Sequence, residues 1–175
     1  MFFRVSEGRK NCLFRMKRDR SQRAKVTQTP IINFKGMSPD RHWAVATIPV
    51  SGAPPTAVVA IPVQGGAMRT ICPAECMAKW SPDGARFYVE DFPQGTGSGM
   101  TVVVPVPKGK ALPDLPAAGI RSAQDAGAVP GSAVLDLSSV DPSHAGVNVA
   151  PGLAEGTFVY ARSIAHRNLF QIPLP

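Results

Sequence analysis

Short apolar runs, each closed by proline, glycine or aspartate, set the pattern of this chain. The clearest is Lys79-Trp80-Ser81-Pro82-Asp83-Gly84-Ala85-Arg86-Phe87-Tyr88-Val89, which predicts a strand, a tight turn and a second strand. Pro82 presets φ at the first corner of the turn, Asp83 can bond back to the backbone, and Gly84 tolerates positive φ. The run that follows is aromatic and β-branched, which suits a pleated, half-buried surface. The unit recurs 43 residues upstream as Met37-Ser38-Pro39-Asp40-Arg41-His42-Trp43-Ala44-Val45. A weaker copy is Val149-Ala150-Pro151-Gly152, ahead of Phe158-Val159-Tyr160. A repeat in the forties points to a propeller or an array.

Setting the turns in register aligns the other strands. Phe2 to Ser6 matches Trp43 to Thr47, Phe87 to Asp91 and Phe158 to Arg162. The next strand is Leu13 to Lys17, Val58 to Val63, Thr101 to Val106 and Leu169 to Leu174. In its first copy Cys12, Phe14 and Met16 alternate with Leu13, Arg15 and Lys17, the period of a strand with one wetter face. A turn follows, Asp19-Arg20-Ser21 or Gln64-Gly65-Gly66, then a fourth strand at Arg23 to Thr27 and Met68 to Cys72. Pro62, Pro105 and Pro173 each remove a ladder donor and read as strand ends. Four antiparallel strands per repeat make a propeller blade, which must pack on its neighbours to bury its faces. The expected architecture is all-β: a partial β-propeller of two complete four-stranded antiparallel blades, residues 33–72 and 77–116, flanked by incomplete blades at 1–27 and 147–175. Residues 117–146 break the period and are expected as an insertion between blades, with a helical turn or two at Ile120 to Ala126.

Composition agrees: 18 prolines and 16 glycines among 175 residues suit many short strands with frequent turns. No apolar stretch approaches the roughly eighteen residues of a membrane span. Arg4, Glu7, Arg9 and Lys10 sit where a secretory signal would carry its apolar core, so none is expected. By blade count the chain starts at a second strand and stops before a fourth. It is therefore expected to be the C-terminal part of a longer propeller, with open edges that pair with the remaining blades or with another copy. The net charge of +7 lies entirely in residues 1–25, where nine Lys and Arg face only Glu7 and Asp19. Such a patch can bind nucleic acid or anionic lipid. Without interleaved stacking aromatics or a recognition helix, nucleic acid is not an expected partner.

Trp80-Ser81-Pro82-Asp83-Gly84 with Phe87-Tyr88-Val89, and Met37-Ser38-Pro39-Asp40 with Trp43-Ala44-Val45, resemble the TolB-like (WD-like) propeller repeats of bacteria. Val58 to Gly66 resembles the strand and Gly-Gly hairpin that follow in such a blade. The resemblance covers most of residues 1–116 and returns at 147–175, with Arg41 in place of the turn glycine and a degenerate Ala150-Pro151-Gly152. The ending His166 to Pro175 resembles the last blade of bacterial propellers fused behind Ser/Thr protein kinase or other signalling domains. What this implies is a non-catalytic module for protein or peptide recognition, the sensor part of a larger signalling protein, extracytoplasmic (periplasmic) when part of a longer chain. The alternative is an accessory propeller of a prolyl-oligopeptidase-like hydrolase whose chemistry sits in another domain.

Candidate chemistry is sparse. The chain has no Gly-rich phosphate loop, His-Arg-Asp-type catalytic loop or Asp-Phe-Gly triplet, so it is not itself a kinase. Gly95-Thr96-Gly97-Ser98-Gly99 fits neither a nucleotide loop nor a nucleophile elbow. His42, His144 and His166 share no ligand spacing, and no catalytic residue, cofactor or metal is expected. Ser38, Pro39, Asp40, Ser81, Pro82, Asp83 and Gly84 are expected as structural turns, and Trp43 and Trp80 as packing residues. Cys72-Pro73-Ala74-Glu75-Cys76 is the sharpest local constellation. Two buried free thiols, a small disulfide loop in an oxidising compartment, and a metal site completed by Cys12 and a histidine all remain open on the residues alone.

Overall fold

The computed structural model describes residues 1–8, 10–90, 100–136, 149–151 and 157–160. The described chain is all-β, with every strand pair antiparallel. The first sheet holds β1 (Phe2–Glu7), β2 (Lys10–Arg15) and β3 (Ala24–Lys25), in that order. The second is a four-stranded meander of β4 (Asn33–Met37), β5 (Trp43–Pro49), β6 (Thr56–Pro62) and β7 (Arg69–Cys72). The third holds β8 (Met77–Trp80), β9 (Arg86–Glu90), β10 (Met100–Pro105) and, beyond the short helix α1 (Ala123–Ala126), β11 (Ala133–Asp136). A last pair joins β12 (Val149–Pro151) to β13 (Phe158–Tyr160). Leu169 to Leu174, Gly95 to Gly99, His144 and His166 lie outside the described residues.

The second sheet shows why its strands read as continuous apolar runs: it is buried on both faces. Val45 pairs with Ala60 and Ala46 with Val59, so alternate rows point opposite ways. Val45, Val58 and Ala60 join Phe87, Val89 and Val102 of the third sheet in one core. Ala46, Ile48 and Val59 join Leu13 and Ile31 on the other side in a second core. A four-stranded sheet sandwiched between two others is a propeller blade in its stack, two complete blades flanked by incomplete ones.

Three expectations need correction. The fourth strand of the third blade is not within 77–116 but is β11, which pairs Val103 with Ala133 and Val102 with Val134. Residues 107–132 therefore form an excursion inside this blade, not an insertion between blades. Pro105, Pro107, Pro113 and Pro116 supply no ladder donors, so the chain cannot turn back directly into a strand. It instead drops Leu112, Ile120, Ala126 and Val129 into the core beside Ile71 before returning. Second, Arg86, not Phe87, occupies the place of Trp43: Arg86 pairs with Pro105 as Trp43 pairs with Pro62. Third, β2 has no wet face at its centre. Leu13 is fully buried against the second sheet, Cys12 and Phe14 are buried on the opposite face, and exposure is confined to Lys10 and Arg15 at the strand ends and Lys17 beyond.

Candidate functional site

The two Ser-Pro-Asp turns superpose bond for bond. The Ser38 hydroxyl donates to Asp40 Oδ1 and accepts from Trp43 N–H at 2.9 Å, while His42 N–H donates to the same Asp40 oxygen at 3.0 Å. In the next blade Ser81 donates to Asp83 and accepts from Arg86 N–H at 2.9 Å, with Ala85 N–H on Asp83 at 3.0 Å. Both serines are buried, and their hydrogen bonds knit the turn to the first residue of the following strand. A carboxylate tied to two donors in its own turn is a structural device, with little capacity left for acid–base work. Gly84 (φ +75) lies against Pro39 of the neighbouring turn, 3.2 Å from where its Cβ would stand to the Pro39 Cγ. The adjacent turns thus abut at one end of the stack. Arg41 holds the same left-handed conformation (φ 62) without being glycine. Arg41→Gly should therefore raise stability by about 0.5–1 kcal/mol, and Gly84→Ala should lower it by about 1–2 kcal/mol. Urea midpoints of the two variants check the opposite signs.

Charge adds a pH signature. Burial pushes the Asp40 carboxyl up, but the Ser38 hydroxyl and His42 N–H bonds outweigh it and hold the group below its ordinary value. The Ser81 hydroxyl and then the Ala85 N–H pull Asp83 down. A carboxylate depressed in the folded state contributes stability above its unfolded value and loses it as pH falls through the folded one. The urea midpoint should consequently drop below about pH 4. Asp83→Asn should flatten that drop, and an unchanged midpoint from pH 7 to 3 in the parent chain would contradict it.

Cys72 and Cys76 form a disulfide, with Cα atoms 6.4 Å apart, where β7 leads into β8. Glu75 inside this loop accepts from Lys35 Nζ at 2.7 Å and from the Thr47 hydroxyl at 3.2 Å, which ties the junction back to β4 and β5. On the outer side, Ile120 N–H donates to Ile71 O at 2.7 Å and covers the β7 edge. Cys12 is a buried free thiol, and no group of three or more His, Cys, Asp or Glu among the described residues could hold a metal ion. Trp80 donates its indole N–H to Ala111 O at 2.8 Å and packs edge-on to Phe87 at 4.9 Å. Trp43 is half-buried and packs against the same core.

The first sheet is where exposed chemistry concentrates. Arg4, Lys10, Arg15, Lys17, Arg18, Arg20 and Arg23 are all exposed. The β2–β3 turn is closed by Lys17 N–H to Ser21 O at 2.9 Å, and Asp19 accepts from the Ser21 hydroxyl and N–H. The Ser21 hydroxyl is the chief cause of the lowered Asp19 carboxyl. Asp19 is thus spent inside its turn, while Glu7 is paired with Lys25 at 2.8 Å, a bond that lowers the one and raises the other. A cavity of about 480 Å³ opens between the chain start and this turn, walled by Phe2, Arg15, Lys17, Gln22 and Arg23. Aromatics do accompany the patch, contrary to the reading of the sequence: Arg23 lies 4.8 Å from the Phe14 ring centroid and 5.8 Å from that of Phe3. The pairing of Phe3 with Phe14 across the strands puts both rings on one face, a neighbourhood that the register of β1 and β2 could have revealed. Arg23 lies over both rings and Lys25 over that of Phe14, so the patch's own cations already engage them. A smaller depression of about 230 Å³ lies between Trp43, Arg69 and Lys110.

Among the described residues, no helix is long and apolar enough to cross a membrane. No protein-family model matches the chain, and no curated protein matches it. Among solved structures, the chain is similar to TolB from Acinetobacter baumannii at 15% identity and a TM-score of 0.47, over 66% of this chain and 30% of that one. The chain therefore spans less than a third of the length of that protein.

Proposed function

We propose that the chain is a non-catalytic module of propeller blades that recognises an acidic protein or peptide segment through its basic first sheet. The observation that carries this is electrostatic. Seven exposed cations lie on the first sheet and its β2–β3 turn, and the two nearby carboxylates, Asp19 and Glu7, are already engaged. Unneutralised charge of one sign on one face raises the local concentration and association rate of an oppositely charged partner. Aromatics already engaged by the patch's own cations, and no helix beside this sheet among the described residues, favour a polypeptide over nucleic acid. The resemblance to kinase-fused propellers supports a sensor role in a larger bacterial signalling protein, and the Cys72–Cys76 bridge supports an oxidising compartment.

Fluorescence anisotropy tests it with three labelled probes: a twelve-residue acidic peptide, its Asn/Gln counterpart, and a duplex DNA of similar length. The acidic peptide is expected to bind. The complex should weaken about tenfold at 0.5 M salt, and about tenfold in the Arg15→Glu/Arg18→Glu/Arg20→Glu variant. No binding of the acidic peptide, or tighter binding of the DNA than of the peptide, would overturn the reading.

A further inference from the structure

We infer that the outer edge of β1 is a strand-addition site, and that it takes an extended partner segment with an apolar–acidic–apolar alternation. This rests on the recognition reading above and names the class of segment recognised. The register decides which backbone groups are on offer. Met1 and Met16 exchange two hydrogen bonds, Met1 N to Met16 O at 2.8 Å and Met16 N to Met1 O at 3.0 Å. Pairing then runs Phe2 to Arg15, Phe3 to Phe14, Arg4 to Leu13 and onward. Because antiparallel pairs alternate, Phe3, Val5 and Glu7 spend their backbone groups on β2. Phe2, Arg4 and Ser6 aim theirs at the opposite edge, where β1 has no strand beside it among the described residues.

The second blade shows what occupies that edge in a complete repeat. Trp43 and Thr47 stand where Phe2 and Ser6 stand, and their carbonyls accept from Ser38 N at 2.8 Å and Ile32 N at 2.7 Å, at the two ends of β4. The residues of β4 opposite Ala44 and Ala46 are Met37 and Phe34, both packed into the core toward the first sheet. Ala44 and Ala46 correspond to Phe3 and Val5, so an added strand should set apolar residues opposite these two. Between them, opposite Arg4, its side chain falls on the same face as the Arg4 guanidinium. Arg4 is exposed and spends one N–H on Ile32 O at 3.2 Å, which leaves donors for a carboxylate. Main-chain bonds to the edge supply affinity and the alternate side chains supply selectivity, as in other strand-addition complexes.

The probe is a ten-residue peptide of alternating valine and glutamate, titrated into the full chain while amide hydrogen exchange is followed residue by residue. The exchange of the Arg4 and Ser6 amides should slow by about tenfold on binding, with Phe3 and Val5 little changed. N-methylating the alternate peptide amides that face β1 should abolish this protection, while methylating the other set should leave it. Arg4→Glu should lose the complex, and a lysine-for-glutamate peptide should restore it. Peptide binding without protection of Arg4 and Ser6 would overturn strand addition yet leave the basic-surface reading standing. Protection already complete in the chain alone, or growing with its own concentration, would also overturn it, because the edge would then be taken by this chain or by a second copy.

Discussion

Gly119→Ala is expected to cost the fold about 2–4 kcal/mol, the largest effect of a methyl added at any described glycine. Gly119 holds φ +77, and a Cβ there would stand 2.7 Å from the carbonyl oxygen of Ile71 and 3.0 Å from its carbon. Neither atom is the end of a movable side chain. The neighbouring Ile120 N–H to Ile71 O bond, which covers the β7 edge, must therefore lengthen or break. Ile120 itself is fully buried in the core shared by the second and third sheets, so a shift here disturbs both. Urea denaturation with a tryptophan fluorescence readout measures it, and Gly109→Ala is the control. Gly109 has a similar φ of +82 with nothing within 4 Å of its Cβ position, so it should pay the conformational cost alone, about 1 kcal/mol. Equal losses in the two variants would mean that the excursion does not press on β7.

Ser81→Ala should be the next most damaging, at about 1–3 kcal/mol. The Ser81 hydroxyl serves both Asp83 and Arg86 N–H, and its removal strands a backbone donor at the entry to β9 beside a carboxylate that has lost its nearest partner. Ser38→Ala makes the same loss at the same place in the second blade. The two should match within about 0.5 kcal/mol and add in the double variant only if the abutting turns act independently. The closeness of the two turns, with Pro39 Cγ 3.2 Å from where a Gly84 Cβ would stand, argues that they do not, so the double variant is expected to depart from additivity. Thermal unfolding of the three variants reads this directly.

Much of this architecture was legible because one motif carries several constraints at once. Ser, Pro and Asp at fixed offsets define the turn, and the turn fixes the start of the next strand, so the second blade followed from the residues alone. The one-residue slip at Arg86 arose from reading the aromatic Phe87 as the partner of Trp43. The turn bonds instead count five residues from each serine, to Trp43 and to Arg86. The delayed fourth strand at Ala133–Asp136 was hidden because its four residues carry no turn signal and no strong β-branched run. What places it is the pairing surface offered by Val102 and Val103, a tertiary fact. The charged patch was visible as a composition shift. Its engagement with Phe3 and Phe14 was not, because Arg23 reaches those rings only once β1, β2 and the turn to β3 are assembled.

The central structural claim is that the second sheet divides its two faces between two neighbours. Methyl-to-methyl nuclear Overhauser contacts in the full chain, labelled at alanine, valine, leucine and isoleucine, test it most directly. The account predicts that Ala46, Ile48 and Val59 share contacts with Leu13 and Ile31, while Val45, Val58 and Ala60 share contacts with Val89 and Val102. Cross-peaks that put Val45 and Val59 against the same neighbours, or Leu13 against Val89, would contradict it.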